Sequence, residues 1–203
     1  MPERIGILGG TFDPPHVAHL ALAVQARYQF RLDRVLLVVA NDPWQKNGSR
    51  EISPAACRLD MVRAALDDVE GIEASSLEVD RGGESYTADT LAALRTAGDI
   101  RTAGETHERE LFLIIGSDLV TQLHTWKRWE EVASSCTLAI GRRPGPPAGA
   151  PAPPWRSVEI RLPALDISST ELRAMVAEGR PVDFLVPRGA IRAMIGHGLY
   201  RRR

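Results

Sequence analysis

Two histidines close to the N-terminus are the first residues whose types and spacing could do chemistry. His16 and His19 lie at the end of the stretch GILGGTFDPPHVAH, which begins at Gly6. A metal site would need a third ligand and usually an HxxxH spacing on a helix, and no Cys or Glu cluster accompanies the pair. We therefore predict no metal held by the protein here. Two interpretations stay open: packing at a helix start, or donation to phosphate oxygens beside the positive end of that helix.

Glycines precede the histidines at the end of a short apolar run. Gly9 and Gly10 lie where a chain that turns tightly, or approaches a phosphate, benefits from the absence of a Cβ. The fingerprint of dinucleotide-dependent dehydrogenases is G-x-G-x-x-G, whereas Gly6, Gly9 and Gly10 are spaced by three and one. Asp42 does follow the next apolar run, where a ribose-binding acid could lie. The spacing weakens the interpretation as a nicotinamide-dependent oxidoreductase without excluding it.

A second group of polar residues lies near the end of the chain. Ser168 and Glu171 have the S-x-x-E spacing of a capping box, which by itself is a structural signal. The same helix N-terminus carries Ser169 and Thr170 in its first turn and Arg173 one turn further on, and such a terminus is also suited to an anion. The two roles are compatible.

Three further positions have both a structural and a functional interpretation. Asp118 follows the apolar run ending in IIG, where it could cap a helix, bind a ribose hydroxyl or contact a substrate-bound Mg²⁺. Thr87 has the type and place of a helix N-cap. Trp126 is three residues from Trp129, and an aromatic stripe at that spacing on one helix face is more typical of a core than of a ligand platform.

Short apolar runs alternate with longer segments of helical character. We predict strands in RIGIL, RVLLVVA, IEASSLEVD, ELFLIIG, CTLAIG and SVEIRL. Helices are expected from Val17, from a Ser53 N-cap with Pro54 as the first helical residue, from Thr87, and over LVTQLHTWKRWEEVA and STELRAMVAEG. This alternation predicts a single doubly wound, Rossmann-like α/β domain over residues 1–203, in which a parallel sheet carries helices on both faces.

Ligands of such folds bind beyond the carboxyl ends of the strands, where helix N-termini also point. That rule selects residues 9–19, 41–47, 116–118 and 168–173, and the polar residues of interest fall in these segments. We therefore expect one shared site. Residues 144–154, rich in Pro and Gly, are expected to form a surface segment rather than a domain linker.

Composition narrows the classes of function. The 203 residues include 25 basic and 26 acidic side chains, so no overall charge favours nucleic acid or a membrane surface. Cys57 and Cys136 lie far apart and do not predict a disulfide framework. The N-terminus lacks the features of a signal peptide, and no run approaches the roughly 18 apolar residues of a membrane span. We expect a cytoplasmic protein with no nucleic-acid or membrane partner.

Several segments together resemble one known family. GGTFDPPHVAH is similar to the nucleotidyltransferase signature GGTFDPxHxGH, with Ala18 in place of its glycine, and ISST followed by Arg173 resembles the second signature. Phosphopantetheine adenylyltransferases and cytidylyltransferases share this superfamily. SYTADT, IIGSD, TWKRW, RRPG and GHGLY resemble features of the bacterial nicotinate-nucleotide adenylyltransferases, and SYTADT with TWKRW selects that branch. One departure is NDPWQK, where the family often has P-x-x-P-P-H-K; Lys46 keeps the cation.

The resemblance implies transfer of AMP from ATP to nicotinate mononucleotide, with Mg²⁺ brought by ATP. It implies that His16, His19 and Arg173 are catalytic, and that Trp126 stacks on the pyridine ring while Trp129 stays in the core. Two alternatives remain: a phosphopantetheine adenylyltransferase-like enzyme, and a nucleotide-binding module without catalysis. A homo-oligomer is left open. The implied ATP contacts are Gly9, Gly10, Thr11, Phe12, Gly116, Asp118, Arg143, Ser168, Ser169 and Thr170, and those to nicotinate mononucleotide are Lys46, Thr87, Trp126 and Lys127.

Overall fold

The computed structural model describes most of the chain, namely residues 2–43, 52–96, 109–142, 149–163 and 165–201. The predicted site residues Lys46 and Arg143 lie outside the described residues, as does part of the Pro/Gly-rich segment. Among the helices in these ranges, none is long and apolar enough to cross a membrane.

A six-stranded sheet forms the centre of the fold, in the order β3-β2-β1-β4-β5-β6, and every neighbouring pair is parallel. The strand order runs outward from β1 in one direction to β3 and then in the other direction from β4 to β6. A crevice therefore opens outside the carboxyl ends of β1 and β4, where the order reverses. The strands are β1 (Glu3–Gly10), β2 (Arg34–Val39), β3 (Ile72–Ser75), β4 (Arg109–Gly116), β5 (Thr137–Gly141) and β6 (Ser157–Ile160).

Helices cover both faces of this sheet. Alternate side chains of β2 explain the two layers: Val35 and Val39 belong to a core cluster with residues of the first two helices, whereas Leu36 and Val38 belong to one with residues of the fourth and fifth. The doubly wound, Rossmann-like α/β fold predicted from the sequence is confirmed. The helices are α1 (Val17–Gln29), α2 (Ala55–Ala65), α3 (Leu77–Arg81), α4 (Thr87–Thr96), α5 (Trp129–Ser135), α6 (Ser169–Ala177) and α7 (Arg188–Gly196), with a 3₁₀ helix over Ser117–Thr125.

Strand β3 is shorter than the sequence predicts. Its pairing with β2 ends at Ser75, and the residues that continue the alternating pattern form α3 instead. Ser76 leaves the extended region (φ −88°, ψ 4°), and its carbonyl accepts a hydrogen bond from the Asp80 N–H at 2.8 Å. Its hydroxyl also donates to the Asp80 carboxylate at 2.6 Å. These local hydrogen bonds compete with the sheet ladder and end the strand.

The helix predicted over residues 119–133 is broken in two. Between the 3₁₀ helix and α5, Trp126 is extended (φ −73°, ψ 141°) and Arg128 is left-handed (φ 53°, ψ 42°). The two tryptophans therefore do not share a helix face. Trp126 packs against the core layer beneath α4 and α5, and the half-buried Trp129 stacks on Trp155 with ring centroids 6.3 Å apart. The continuous helix was a wrong prediction because neither Gly nor Pro marks the left-handed residue.

The two cysteines are both free thiols, as their separation predicted. Cys136 lies buried in the layer beneath α4 and α5, and this burial raises the pKa of its thiol to about 12. It is therefore a neutral core residue. Cys57 is half-buried on α2.

Helix α7, which the sequence pattern did not predict, packs directly on α2. Gly189 makes the close approach possible, because an added Cβ there would lie 1.8 Å from the Ala64 carbonyl oxygen. Buried Met61 and Met194 fill the rest of this contact within a third core cluster.

The segment after α7 reaches the carboxyl end of β1 through Tyr200. Its hydroxyl donates to Asp13 Oδ1 at 2.5 Å, and Asp13 is buried in the turn between β1 and α1. Burial, followed by this hydrogen bond, raises the pKa of the Tyr200 phenol above its usual value. Tyr200 thereby fixes the C-terminal segment to that turn.

We predict that Gly189→Ala lowers the free energy of unfolding by about 1–3 kcal/mol, because the new methyl group forces α7 away from α2. The matched control is Gly196→Ala at the end of the same helix, where an added Cβ has no atom within 4 Å. The control should be neutral, or more stable by up to about 0.5–1 kcal/mol, because alanine has the higher helix propensity. Urea denaturation compares the two, and equal midpoints would contradict the packing argument.

A second prediction concerns Tyr200→Phe, which removes a hydrogen bond to a buried carboxylate and should cost about 1–3 kcal/mol of stability at neutral pH. Because the folded-state pKa is raised, the contribution is complete below the unfolded phenol's pKa of about 10 and is lost as the pH rises above it. The difference between wild type and variant should therefore shrink above pH ~10. Denaturant unfolding at several pH values measures it. Tyr28→Phe, at a side chain 81% exposed, is the control and should match wild type throughout.

Candidate active site

A cavity of about 670 Å³ opens at the carboxyl ends of β1 and β4, in the crevice where the strand order reverses. This volume suits a small-molecule ligand. Residues from the segments 9–19, 116–118 and 168–173 line it together, as the sequence predicted, and Pro43 is the contribution of segment 41–47 among the described residues. The predicted site residues in its lining are Gly9, Gly10, Thr11, Phe12, His16, His19, Thr87, Gly116, Asp118, Trp126, Lys127, Ser168, Ser169 and Thr170.

The two histidines stack on each other at the N-terminus of α1. His16 is the N-cap residue and is 2% exposed, and its ring lies 3.7 Å from that of His19 between centroids. The His16 backbone N–H donates to His19 Nδ1 at 3.2 Å. Since Nδ1 accepts, the neutral ring of His19 carries its proton on Nε2 and can donate from there. The pair thus offers imidazole nitrogens to the cavity beside the positive end of a helix.

The turn before the histidines is shaped by a buried aromatic ring. Phe12 has a left-handed backbone (φ 51°) and is 2% exposed, and its ring meets that of His19 edge-on at 5.0 Å. An added Cβ at Gly10 would lie 2.9 Å from the Phe12 ring, so only glycine fits there without a shift. A Cβ at Gly9 would meet no atom within 4 Å. Gly10 therefore makes room for Phe12, and Gly9 leaves its backbone open to the cavity.

The N-terminus of α6 is attached to the same turn. Ser168 is its N-cap, and the Ser168 hydroxyl accepts from the Glu171 N–H at 3.2 Å, which confirms the capping role. Ser169 donates to the Pro14 carbonyl at 2.9 Å. Arg173 donates to the Asp13 carbonyl at 2.6 Å.

A second hydrogen bond of Arg173 goes to the Thr170 hydroxyl at 3.0 Å. Arg173 is not itself among the residues that line the cavity, but it contacts two residues that are, Asp13 and Thr170. The guanidinium therefore joins the start of α6 to the turn that precedes the histidines.

Arg58 on α2 holds the turn between β1 and α1 in place, a role that the sequence analysis did not assign. The side chain is 1% exposed and donates to the carbonyls of Ala40 at 2.6 Å, Thr11 at 2.9 Å and Asn41 at 3.0 Å. It also donates to the Ser53 carbonyl at 2.8 Å. A signal was present, because residues 58, 61, 62 and 65 have helical spacing and are otherwise apolar, so a charged residue occupies the buried face of α2.

The start of α2 differs from the prediction by one residue. Pro54 is the N-cap and α2 begins at Ala55, so Ser53 is not the cap. Ser53 lies one residue before it and offers its carbonyl to Arg58 instead. If Ser53 were the N-cap, its carbonyl would accept the first hydrogen bond of the helix; here that carbonyl accepts from the buried Arg58 guanidinium.

At the other end of the cavity, the start of α4 faces Trp126 and Lys127. The Tyr86 carbonyl accepts from the N–H groups of Asp89 and Thr90, so Thr87 is the first helical residue rather than the predicted N-cap. The Lys127 ammonium lies 4.1 Å from the centroid of the Tyr86 ring, within cation–π range.

Besides Asp13, two further carboxylates line the cavity. Glu78 on α3 is buried and accepts a hydrogen bond from the Thr90 hydroxyl, which ties α3 to α4; sequence reasoning gave it no role. Asp118 follows β4 in the first turn of the 3₁₀ helix, whose N-cap is Gly116, so Asp118 is not a cap residue. The capping role of Asp118 is therefore excluded, and its contact with a ligand stays a prediction.

Comparisons with known proteins agree with this geometry. Residues 7–175 match the family model described as cytidylyltransferase-like. The "Probable nicotinate-nucleotide adenylyltransferase" of Roseiflexus sp. (strain RS-1) is 41% identical over 97% of this chain and 98% of its own length. A protein of the same name from Acidothermus cellulolyticus (strain ATCC 43068 / DSM 8971 / 11B) is 39% identical, over 98% of this chain and 95% of its own.

Solved structures agree on the fold. Plasmodium falciparum nicotinic acid mononucleotide adenylyltransferase complexed with NaAD has a TM-score of 0.75 to this chain at 18% identity, covering 98% of this chain and 97% of the other. The same protein complexed with APC has a TM-score of 0.74 with the same coverage. The chain therefore belongs to the cytidylyltransferase-like family, in the group of the nicotinate-nucleotide adenylyltransferases.

Proposed function

We propose that the protein transfers the adenylyl group of ATP to nicotinate mononucleotide in NAD biosynthesis. The products are nicotinate adenine dinucleotide (deamido-NAD) and pyrophosphate. One observation carries the proposal: a single cavity joins two stacked histidines and two helix N-termini at one end to a tryptophan and the start of α4 at the other. The first end suits a triphosphate and the second a flat, anionic ring.

The transfer needs positioning more than proton transfer. An oxygen of the acceptor's phosphate attacks the α-phosphorus of ATP, and the bond to the bridging oxygen breaks, so pyrophosphate leaves with the electron pair. The attacking phosphate monoester already carries about −1.5 to −2 charges at neutral pH and requires no general base. Rate enhancement then comes from holding two anions together and from stabilising the charge that develops on the phosphates.

The residues around β1 suit the phosphate end. His19, with its proton on Nε2, donates to a phosphate oxygen, and His16 lies beside it at the positive end of α1. The open backbone at Gly9 lets the nucleotide approach closely. Ser169 and Thr170 at the start of α6 add a second helix N-terminus directed at the same anion.

Mg²⁺ belongs to the nucleotide substrate in this proposal. Among the described residues, no group of three or more His, Cys, Asp or Glu side chains could hold a metal ion. Magnesium generally retains several waters and binds through substrate phosphates with one or two carboxylates. Asp118, at the end of β4, is the predicted contact to that ion or to a ribose hydroxyl. The ATP contact of Arg143 and the acceptor contact of Lys46 remain predictions.

Pyrophosphate release tests the function directly. Purified protein with MgATP is offered nicotinate mononucleotide, its amide analogue or phosphopantetheine. We expect turnover with the first. Turnover with phosphopantetheine alone would favour the related transferase, and ATP binding without release of pyrophosphate in the presence of any acceptor would favour a non-catalytic nucleotide-binding module.

His19→Ala should lower kcat/KM by at least about 10²-fold, the scale expected when one preorganised donor to a reacting group is lost. The fold should persist, because His19 is only half-buried. His124→Ala is the matched control, since His124 is exposed and lies outside the cavity lining. Steady-state kinetics of both variants, with thermal melting to verify folding, provide the measurement. Normal turnover by folded His19→Ala protein would rule out the catalytic assignment.

The acid should be preferred to its amide by roughly 10- to 150-fold in kcat/KM, because a hydrogen bond to a charged group contributes about 1.5–3 kcal/mol. The first N–H groups of α4, near Thr87, have no acceptor within the helix and suit a carboxylate, whereas the amide turns its own NH₂ toward one of them. Trp126 presents the same ring face to both compounds. Trp126→Phe should therefore lower kcat/KM for both compounds and leave the ratio of the two kcat/KM values unchanged. Equal kcat/KM values in wild type would overturn the choice of acceptor and leave adenylyl transfer standing.

A further inference from the structure

The turn that carries Trp126 has an unfavourable backbone. Residues 126–128 join the 3₁₀ helix to α5, and Arg128 adopts a left-handed conformation, which costs free energy for residues other than glycine, asparagine and aspartate. The Trp126 N–H donates to the Leu123 carbonyl at 3.2 Å and so ties this turn to the helix before it. Contacts from elsewhere are therefore needed to hold the turn in place.

Two cationic side chains supply such contacts, and both reach the start of α4. The Lys127 ammonium lies over the Tyr86 ring at 4.1 Å. The Arg128 guanidinium donates to the Asp89 carboxylate, and this hydrogen bond raises the pKa of Arg128. Asp89 lies in the first turn of α4, two residues after Thr87. The two contacts therefore join the turn that carries Trp126 to the start of α4, the two walls of this end of the cavity.

We propose that the Asp89–Arg128 ion pair is a positioning clamp that holds Trp126 opposite the first turn of α4 and so sets the width of the acceptor end of the cavity. The inference rests on the proposed function, because that function places the pyridine ring between these walls. Neither residue lines the cavity, so both act through Trp126 and the backbone near Thr87. Asp89 and Arg128 are accordingly positioning residues.

The expected effect is modest and specific to one substrate. Both side chains are nearly two-fifths exposed, and exposed ion pairs contribute little free energy, which corresponds to a change of about two- to fivefold in an equilibrium constant. Because the clamp lies at the acceptor end, its loss should raise KM for nicotinate mononucleotide by this factor. KM for ATP, whose phosphates lie at the histidine end, should not change.

Asp89→Asn is the decisive variant, because a simple charge effect and a positioning clamp predict opposite changes in KM for nicotinate mononucleotide. Removing a carboxylate beside an anionic substrate lowers KM if charge alone matters, since repulsion is relieved. Removing it raises KM if the clamp matters, since Trp126 is released. Arg128→Asn completes the pair: asparagine tolerates the left-handed backbone, and its side chain is too short to replace the guanidinium.

The double variant tests whether the two residues act through each other. With a clamp, the singles and the double should show the same increase in KM, because breaking the pair once removes the whole effect. With independent charge effects, the two substitutions should offset each other. Glu110→Gln is the matched control: it breaks the Arg4–Glu110 pair, which is similarly exposed and lies at the amino ends of the strands, 2.8 Å between N and O.

Steady-state kinetics with each substrate varied in turn, and melting temperatures for all four variants, complete the experiment. A raised acceptor KM in Asp89→Asn, with ATP KM unchanged and melting like that of Glu110→Gln, is the result expected. An unchanged or lowered acceptor KM in Asp89→Asn, or an additive double variant, would overturn the clamp. Wild-type protein inactive with nicotinate mononucleotide would instead refute the proposed function and the clamp with it.

Discussion

The cavity depends on one buried guanidinium that bonds the backbone at the carboxyl ends of β1 and β2. Arg58 donates to the Thr11 carbonyl after β1 and to the carbonyls of Ala40 and Asn41 after β2. An arginine is always charged, so its burial is tolerated only where its donors are satisfied. A shift of either strand end would deprive the buried cation of acceptors, which is costly. The turn leading to His16 and His19 therefore has one stable position.

Much of this end of the site could be predicted because its determinants are local. Continuous apolar strands predicted the parallel sheet, and the crevice rule placed the polar segments at its carboxyl edge. The capping role of Ser168 followed from its spacing to Glu171, since a cap is a contact within four residues. The sequence also indicated that glycine is needed before His16. It did not show the reason, which is the contact of the Phe12 ring with Gly10.

The features that sequence reasoning missed are long-range. Arg58 was detectable as a charge on an apolar helix face, but its acceptors on other segments were not. Tyr200 meets Asp13 across nearly the whole chain, so only the folded structure pairs them. Arg128 is left-handed within a segment of regular helical pattern, and the break lets Trp126 pack against the core beneath α4 and α5, a tertiary contact that local propensity does not show.

The two ends of the cavity are held by interactions of different strength. Around the histidines, buried or half-buried charged groups hold backbone carbonyls, and such hydrogen bonds contribute about 1.5–3 kcal/mol each. At the acceptor end, the exposed contact of Arg128 with Asp89 belongs to a class that contributes about 0–1 kcal/mol. Substitutions there cost little stability, whereas those near Arg58 threaten the fold. The histidine end of the cavity is therefore held more firmly than the end at Trp126.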